Sequence, residues 1–138
     1  MNTKESLIWA AGFFDGEGYV TIQVRGGKYQ GHYLRIGVNH VNPDPLYKLQ
    51  ELFGGSVRVQ RKKPTGNRKR RHEWTLSCKK AAKCLRRMRP YIINKTAPIS
   101  IGLQLDDSMQ EGTGKISDEL RELRDSLKLD LQIANAID

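Results

Sequence analysis

The spacing of apolar positions switches repeatedly between a helical and a strand period along this chain. Residues 5–16 carry Leu7, Ile8, Ala11, Phe13 and Phe14 without a proline, which predicts a helix ended by Gly16 and Gly18. Residues 19–25 then alternate, with Val20, Ile22 and Val24 on one side and Tyr19, Thr21, Gln23 and Arg25 on the other. Residues 33–39 repeat the alternation: Leu34, Ile36 and Val38 against Tyr33, Arg35, Gly37 and Asn39. The glycine-rich stretch between the two runs makes them a hairpin.

A helical period returns at Leu46, Leu49, Leu52 and Phe53. Asp44 reads as its N-cap, Pro45 as its first residue and Gly54-Gly55 as its stop. Residues 56–61 and 71–77 predict a second pair of strands, with Val57, Val59, Trp74 and Leu76 inward. Arg58, Gln60, Arg71, Glu73 and Thr75 point the other way. Helices follow at about 79–89, 97–109 and 117–134, the last with Leu120, Leu123, Leu127, Leu131 and Ala134 in a stripe. The order αββαββα predicts an α+β fold: a four-stranded antiparallel sheet with helices on its apolar face, plus C-terminal helices. A length of 138 residues suits one domain, with a core at about 5–110 and a C-terminal helix at about 117–134.

Composition narrows the class. No run of 18 apolar residues exists, so no membrane partner is expected, and the N-terminus lacks the cleavage pattern of a secretory signal. Cys78 and Cys84 have no second pair. They read as buried thiols of an intracellular, reducing compartment: bacterial or phage cytoplasm, or an organelle matrix or stroma. The net charge of +9 is unevenly placed. Of the 24 Lys and Arg, 19 fall between residues 19 and 95, with only 3 of the 15 Asp and Glu, giving +16 there and −7 elsewhere. Such a segment seeks a polyanion, nucleic acid before an anionic membrane.

The polar side of the sheet sharpens that to double-stranded DNA. Thr21, Gln23, Arg25, Tyr33, Arg35, Asn39, Arg58, Gln60, Arg71, Glu73 and Thr75 include the types that read base edges: Arg for guanine, Gln or Asn for adenine, Glu for cytosine. Lys28 in the first loop adds to this surface. Arg61, Lys62, Lys63, Arg68, Lys69 and Arg70, in the turn "RKKPTGNRKR", read as phosphate grips.

The stretch "AAGFFDGEG", residues 10–18, closes the first helix with two carboxylates set among glycines. With the αββαββα order, it resembles the nonapeptide of the LAGLIDADG homing endonuclease family. Ala11, Gly12, Asp15 and Gly18 match it letter for letter, and Glu17 stands for its second aspartate. The resemblance covers about residues 5–110 and implies a saddle-like sheet over DNA.

The residues of the motif carry a physical argument of their own. Gly12 and Gly16, four apart, leave one helical stripe bare, so two such helices can pack closely; Leu7, Ile8, Ala11 and Asp15 complete the expected dimer interface. Glu17 ends the helix where the dipole disfavours an anion, and a cation relieves this. With the Gly16 carbonyl it offers hard oxygen ligands suited to Mg²⁺. Mn²⁺ is expected to substitute, and Ca²⁺ to support binding without cleavage. The resemblance further implies that the first acid, Asp15, is structural. It places Asn42 near a metal-bound water and Lys95 near the reacting phosphate, which gives Glu17, Asn42 and Lys95 as catalytic residues. A single motif implies a homodimer that cuts a long pseudopalindromic site. The alternative on the same fold is an intron RNA maturase or a DNA-binding regulator that does not cleave.

Overall fold

The computed structural model describes residues 3–26, 31–61, 65–66, 69–109 and 116–137. Helix α1 (Lys4–Glu17) is started by Thr3, whose hydroxyl accepts the Ser6 N–H at 3.0 Å. It runs one residue past the predicted end. Gly16 is helical, and Gly18 is extended at φ −83°. Gly18 is required for space: a Cβ there would lie 2.5 Å from the Phe14 ring and 2.7 Å from the Phe14 carbonyl oxygen.

Strands β1 (Gly18–Val24) and β2 (His32–His40) form the first hairpin, and β3 (Ser56–Val59) and β4 (His72–Ser77) the second. The two join through β2 and β4, giving the antiparallel order β1-β2-β4-β3. Val20, Ile22, Leu34, Ile36, Val38, Trp74 and Leu76 are buried on one face, as the alternation predicts, but Val24, the last residue of β1, is exposed, contrary to expectation. Strand β3 is shorter than expected and its last inward residue fails: Val59 is 49% exposed. Helix α2 (Asp44–Phe53) covers Val57 and Trp74 but does not reach this corner of the sheet.

Helix α2 begins differently from expectation. Asp44 is its first residue and not its cap. The Asp44 N–H is taken by the side-chain oxygen of Asn42 at 3.1 Å. The helix stops as predicted at Gly54 and Gly55, both at positive φ (+83° and +92°), a conformation open to glycine. The Gly54 carbonyl then accepts the Trp74 indole N–H at 2.9 Å, which satisfies the polar end of this fully buried ring.

Helix α3 (Cys78–Met88) leads through a short 3₁₀ turn (Arg89–Tyr91) to α4 (Thr96–Met109) and α5 (Asp118–Ile137). The core is one cluster that joins the sheet to all five helices. Truncating Trp74 at its centre would cost about 3–5 kcal/mol. Helix α5 packs on α4 and on the edge strand β1, where the Asn135 amide donates to the Val20 carbonyl at 3.0 Å. Its stripe is narrower than predicted: Leu127 and Leu131 are buried, while Leu123 is 48% exposed. Arg124 takes the buried place between turns and donates to the Ser108 hydroxyl (3.1 Å) and carbonyl (3.0 Å), near the end of α4. A cation is well placed at that negative helix end. Of the two thiols, Cys84 is buried, and burial pushes its pKa up to about 12. Cys78 is exposed, contrary to expectation; it is the first residue of α3, directly after β4. Among the described residues, no helix is long and apolar enough to cross a membrane.

Candidate nucleic-acid interface and metal site

The two acids of the motif have different surroundings. Asp15 faces its own chain. Its carboxylate accepts three successive backbone N–H groups, from Ile93 (2.9 Å), Asn94 (2.9 and 3.0 Å) and Lys95 (2.8 Å). Burial raises its pKa, but the bonds from Asn94, Ile93 and Lys95 and the Lys95 charge outweigh this and hold it below the ordinary value. Asp15 therefore fastens the segment just before α4 to the last turn of α1. Its carboxylate is committed within the chain and not to the helix face predicted for dimerisation.

Glu17 is the opposite case. It is exposed at the C-terminal end of α1 and has no hydrogen-bond or ion-pair partner among the described residues. No basic residue occupies that last helical turn. Lys95 is half-buried, and its backbone is tied to Asp15, two residues before Glu17. Asn42 is exposed in the turn after β2, with its oxygen committed to the start of α2. The end of β2 reaches α1 through His40, whose ring packs edge-on against Phe13, one turn before Glu17. No described contact joins Asn42 to Glu17.

The polar face of the sheet forms registered rows. Thr21 lies beside Arg35, Tyr19 beside Gly37 and then Thr75 and Ser56, and Asn39 beside Glu73 and then Arg58. Tyr19 crosses the bare Gly37 position and donates its hydroxyl to Glu73 at 3.0 Å. Gly37 has no room for a Cβ, which would lie 2.5 Å from that hydroxyl and 2.6 Å from the Trp74 carbonyl oxygen. Arg35 reaches the other Glu73 oxygen at 3.4 Å. Thr21 donates to the Arg35 carbonyl and accepts from Gln23, both at 3.2 Å. Arg25 stacks over the Tyr33 ring at 5.1 Å. This side of the face is already ordered by its own contacts.

The β3 side is open. Asn39, Arg58, Val59, Gln60, Arg61, Arg71 and Glu73 line a concavity of about 1100 Å³. Lys69 and Arg70 are exposed beside it in sequence. Four predicted contacts, Lys28, Lys62, Lys63 and Arg68, lie outside the described residues.

Fold comparison adds an independent line. The homing endonuclease I-TnaI superposes with a TM-score of 0.67 at 20% identity, covering 97% of this chain and 99% of that one. The homing endonuclease I-CvuI, in complex with the I-CreI target in the presence of Mg, gives 0.63 at 18%, covering 90% and 95%. The LAGLIDADG homing endonuclease I-GzeII, with its DNA target, gives 0.70 at 14%, covering 88% of this chain and 43% of that one. The chain has the LAGLIDADG homing endonuclease fold. No protein-family profile matches the sequence. No curated protein matches it in sequence either.

Within this LAGLIDADG fold, residues 10–18 form the second half of α1 and its exit into β1. Gly12 and Gly16 are exposed, and a Cβ at either would meet nothing within 4 Å. Ile8 is 43% exposed on the same face, and Leu7 is half-buried against the core. Ala11 is fully buried in its own chain, which removes it from any surface. Trp9, stacked on Phe13 with ring centroids 5.5 Å apart, is 39% exposed and joins the face in a way the glycine spacing did not signal. The Tyr19–Glu73 bond was also missed, because it links positions 54 residues apart.

Proposed function

We propose that this chain is a metal-dependent endonuclease that works as a homodimer on long, pseudopalindromic double-stranded DNA. The observation that carries the reading is Glu17: an exposed carboxylate, without a partner among the described residues, at the negative end of a helix whose outer face is bare at Gly12 and Gly16. The site fits a hard divalent cation, since a carboxylate at a helix C-terminus with no basic neighbour in its turn is relieved by positive charge. Among the described residues, no three His, Cys, Asp or Glu side chains gather to hold a metal. One chain thus supplies one acidic ligand, and the backbone, a second copy and DNA phosphates supply the others. Glu17 and the Gly16 carbonyl would hold Mg²⁺, with Mn²⁺ able to replace it. The bound ion would polarise the scissile phosphate and stabilise the attacking and leaving oxygens.

The chain's own residues do the rest. The open concavity of Arg58, Gln60 and Arg71 meets base edges and phosphates. Asp15 sets the backbone of Lys95, whose ammonium stabilises negative charge developing on phosphate. Asn42 keeps its amide nitrogen for a water or phosphate oxygen while its side-chain oxygen accepts the Asp44 N–H at the start of α2.

The test is cleavage of a randomised DNA library with Mg²⁺ and with Ca²⁺, using wild type and Glu17→Gln. The expected result is one long, roughly two-fold-symmetric cut site with Mg²⁺, binding alone with Ca²⁺, and loss of cutting but not binding in Glu17→Gln. Specific binding without any nick in Mg²⁺ or Mn²⁺ would reject the nuclease and leave a binding protein.

A further inference from the structure

The strongest charge left unused by this reading is on α3. Its buried residues, Ala81, Ala82, Cys84, Leu85 and Met88, face the sheet and neighbouring helices. Lys79, Lys80 and Lys83 are exposed, and Arg89 follows just beyond the helix. None of these four has a hydrogen-bond or ion-pair partner among the described residues. Arg86 and Arg87 are accounted for, the first by Asp106 (2.8 Å) and Asp107 (3.1 Å), the second over the Phe53 ring at 5.3 Å.

Two facts argue against a merely solvated surface. Lys79 and Lys80 sit in the first turn of α3, where the dipole disfavours cations, and that turn contains no acid. The acidic helix α5 offers no internal partner either, since it packs on α4 and β1. Position decides the occupant. Helix α3 packs on the apolar side of the sheet, with Lys80 and Lys83 opposite its buried residues, while Lys79 in its first turn lies nearer the end of the sheet and lines a pocket with Arg25 and Tyr33. Double-stranded DNA is stiff over about 150 base pairs, and a duplex lying on the sheet does not fold back onto this face.

We propose that Lys79, Lys80 and Lys83 form a second, sequence-independent phosphate-binding surface for another segment of double-stranded DNA. This rests on the chain being a DNA-binding protein, and it does not require cleavage. A protein that searches for a rare site gains from it. One face holds a new segment by phosphate contacts while the sheet leaves the old one, so that transfer between segments adds to sliding.

The experiment is a sandwich capture with two 30-bp duplexes of unrelated sequence, one anchored and one fluorescent. It compares wild type, Lys79→Gln/Lys80→Gln/Lys83→Gln, and Arg58→Gln/Arg71→Gln on the sheet. Anisotropy with a single duplex runs in parallel, and circular dichroism checks folding. Wild type should bridge. The triple variant should bind one duplex within about threefold of wild type but capture at least about tenfold less of the second. The salt slope of that capture should fall by about 0.9 for each phosphate contact removed. The Arg58/Arg71 variant should lose single-duplex binding as well. Equal bridging by the triple variant would overturn the proposal. So would absence of bridging by a wild type that binds one duplex, or parallel loss of both activities in the triple variant. Preferential capture of an RNA hairpin over the second duplex would also overturn it. A wild type that binds no duplex at all would remove the DNA reading itself.

Discussion

The carboxylate of Asp15 accepts the backbone N–H of Lys95 at 2.8 Å across 80 residues of chain. The same group also takes the N–H groups of Ile93 and Asn94. One side chain therefore ties the end of α1, which carries Glu17, to the segment just before α4, which carries Lys95. The backbone segments of the two catalytic candidates are tied together by Asp15.

Asp15→Asn should lower stability by about 2 kcal/mol at neutral pH, because an amide presents one acceptor where the carboxylate presents two charged ones. Urea unfolding measures it. The pH dependence has a definite sign. The folded carboxyl lies below its ordinary value of 3.8, so its contribution is complete above that pH and is lost as the pH falls through the folded value. The gap between wild type and Asp15→Asn should close on acidification below 3.8. A gap constant down to complete acid unfolding would show that the carboxylate is not what holds the 93–95 segment.

The Tyr19 phenol is pushed up to about 12 by burial and then by the charge and hydrogen bond of Glu73. A raised value means that its contribution to stability is complete below its ordinary 10.0 and is lost as the pH rises through about 12. In an ultraviolet titration, one of the 5 tyrosines should ionise late. That late step should vanish in Tyr19→Phe and move down in Glu73→Gln. Titration of every tyrosine together would show that the bridge over Gly37 does not persist in solution.

Much of this was legible in the sequence, and the failures share a cause. The elements and the inward faces of β2, β4 and most of β1 followed from periodicity, because each is a local pattern; Val24, at the end of β1, is exposed. The short β3 and the exposed Val59 depend on how far α2 extends over the sheet, which no local pattern carries. Pro43, not Asp44, is the N-cap of α2, and the Asn42 amide oxygen, one residue further out, takes the Asp44 N–H at the helix start. Arg124 breaks an apolar stripe because Ser108, near the end of another helix, receives it. At the site, Glu17 and the glycine stripe were readable in nine residues. The Asp15 clamp and the Tyr19 bridge join residues 54 to 80 positions apart and become visible only in three dimensions.

Gly18→Ala should be among the most damaging of small changes. The new methyl would meet the Phe14 ring at 2.5 Å and the Phe14 carbonyl at 2.7 Å, and the carbonyl cannot swing aside without unwinding the turn that holds Glu17. Overpacking of this kind costs about 1–3 kcal/mol, and the rigid partner puts Gly18→Ala at the upper end. Thermal unfolding should show a clear drop in Tm. A Tm equal to wild type would mean that the α1–β1 junction relaxes freely.

Gly12 tests the assembly in isolation from the fold. A Cβ at Gly12 meets nothing within 4 Å in its own chain, so Gly12→Ala should leave the protomer folded, and helix propensity should stabilise it by up to about 1 kcal/mol. Gly12→Leu should be tolerated by the protomer for the same reason. In the proposed homodimer, however, position 12 lies where the two α1 helices approach most closely, and a leucine there holds them apart. The expected outcome is an opposite effect on two measurements. Circular dichroism and urea unfolding should report an intact protomer, while sedimentation should shift from dimer to monomer. Cleavage should disappear along with the dimer, since each protomer contributes one Glu17. A Gly12→Leu protein that sediments as a dimer would move the interface off α1, and the exposed apolar residues of α5, Leu129 and Ile133, would be the next surface to test.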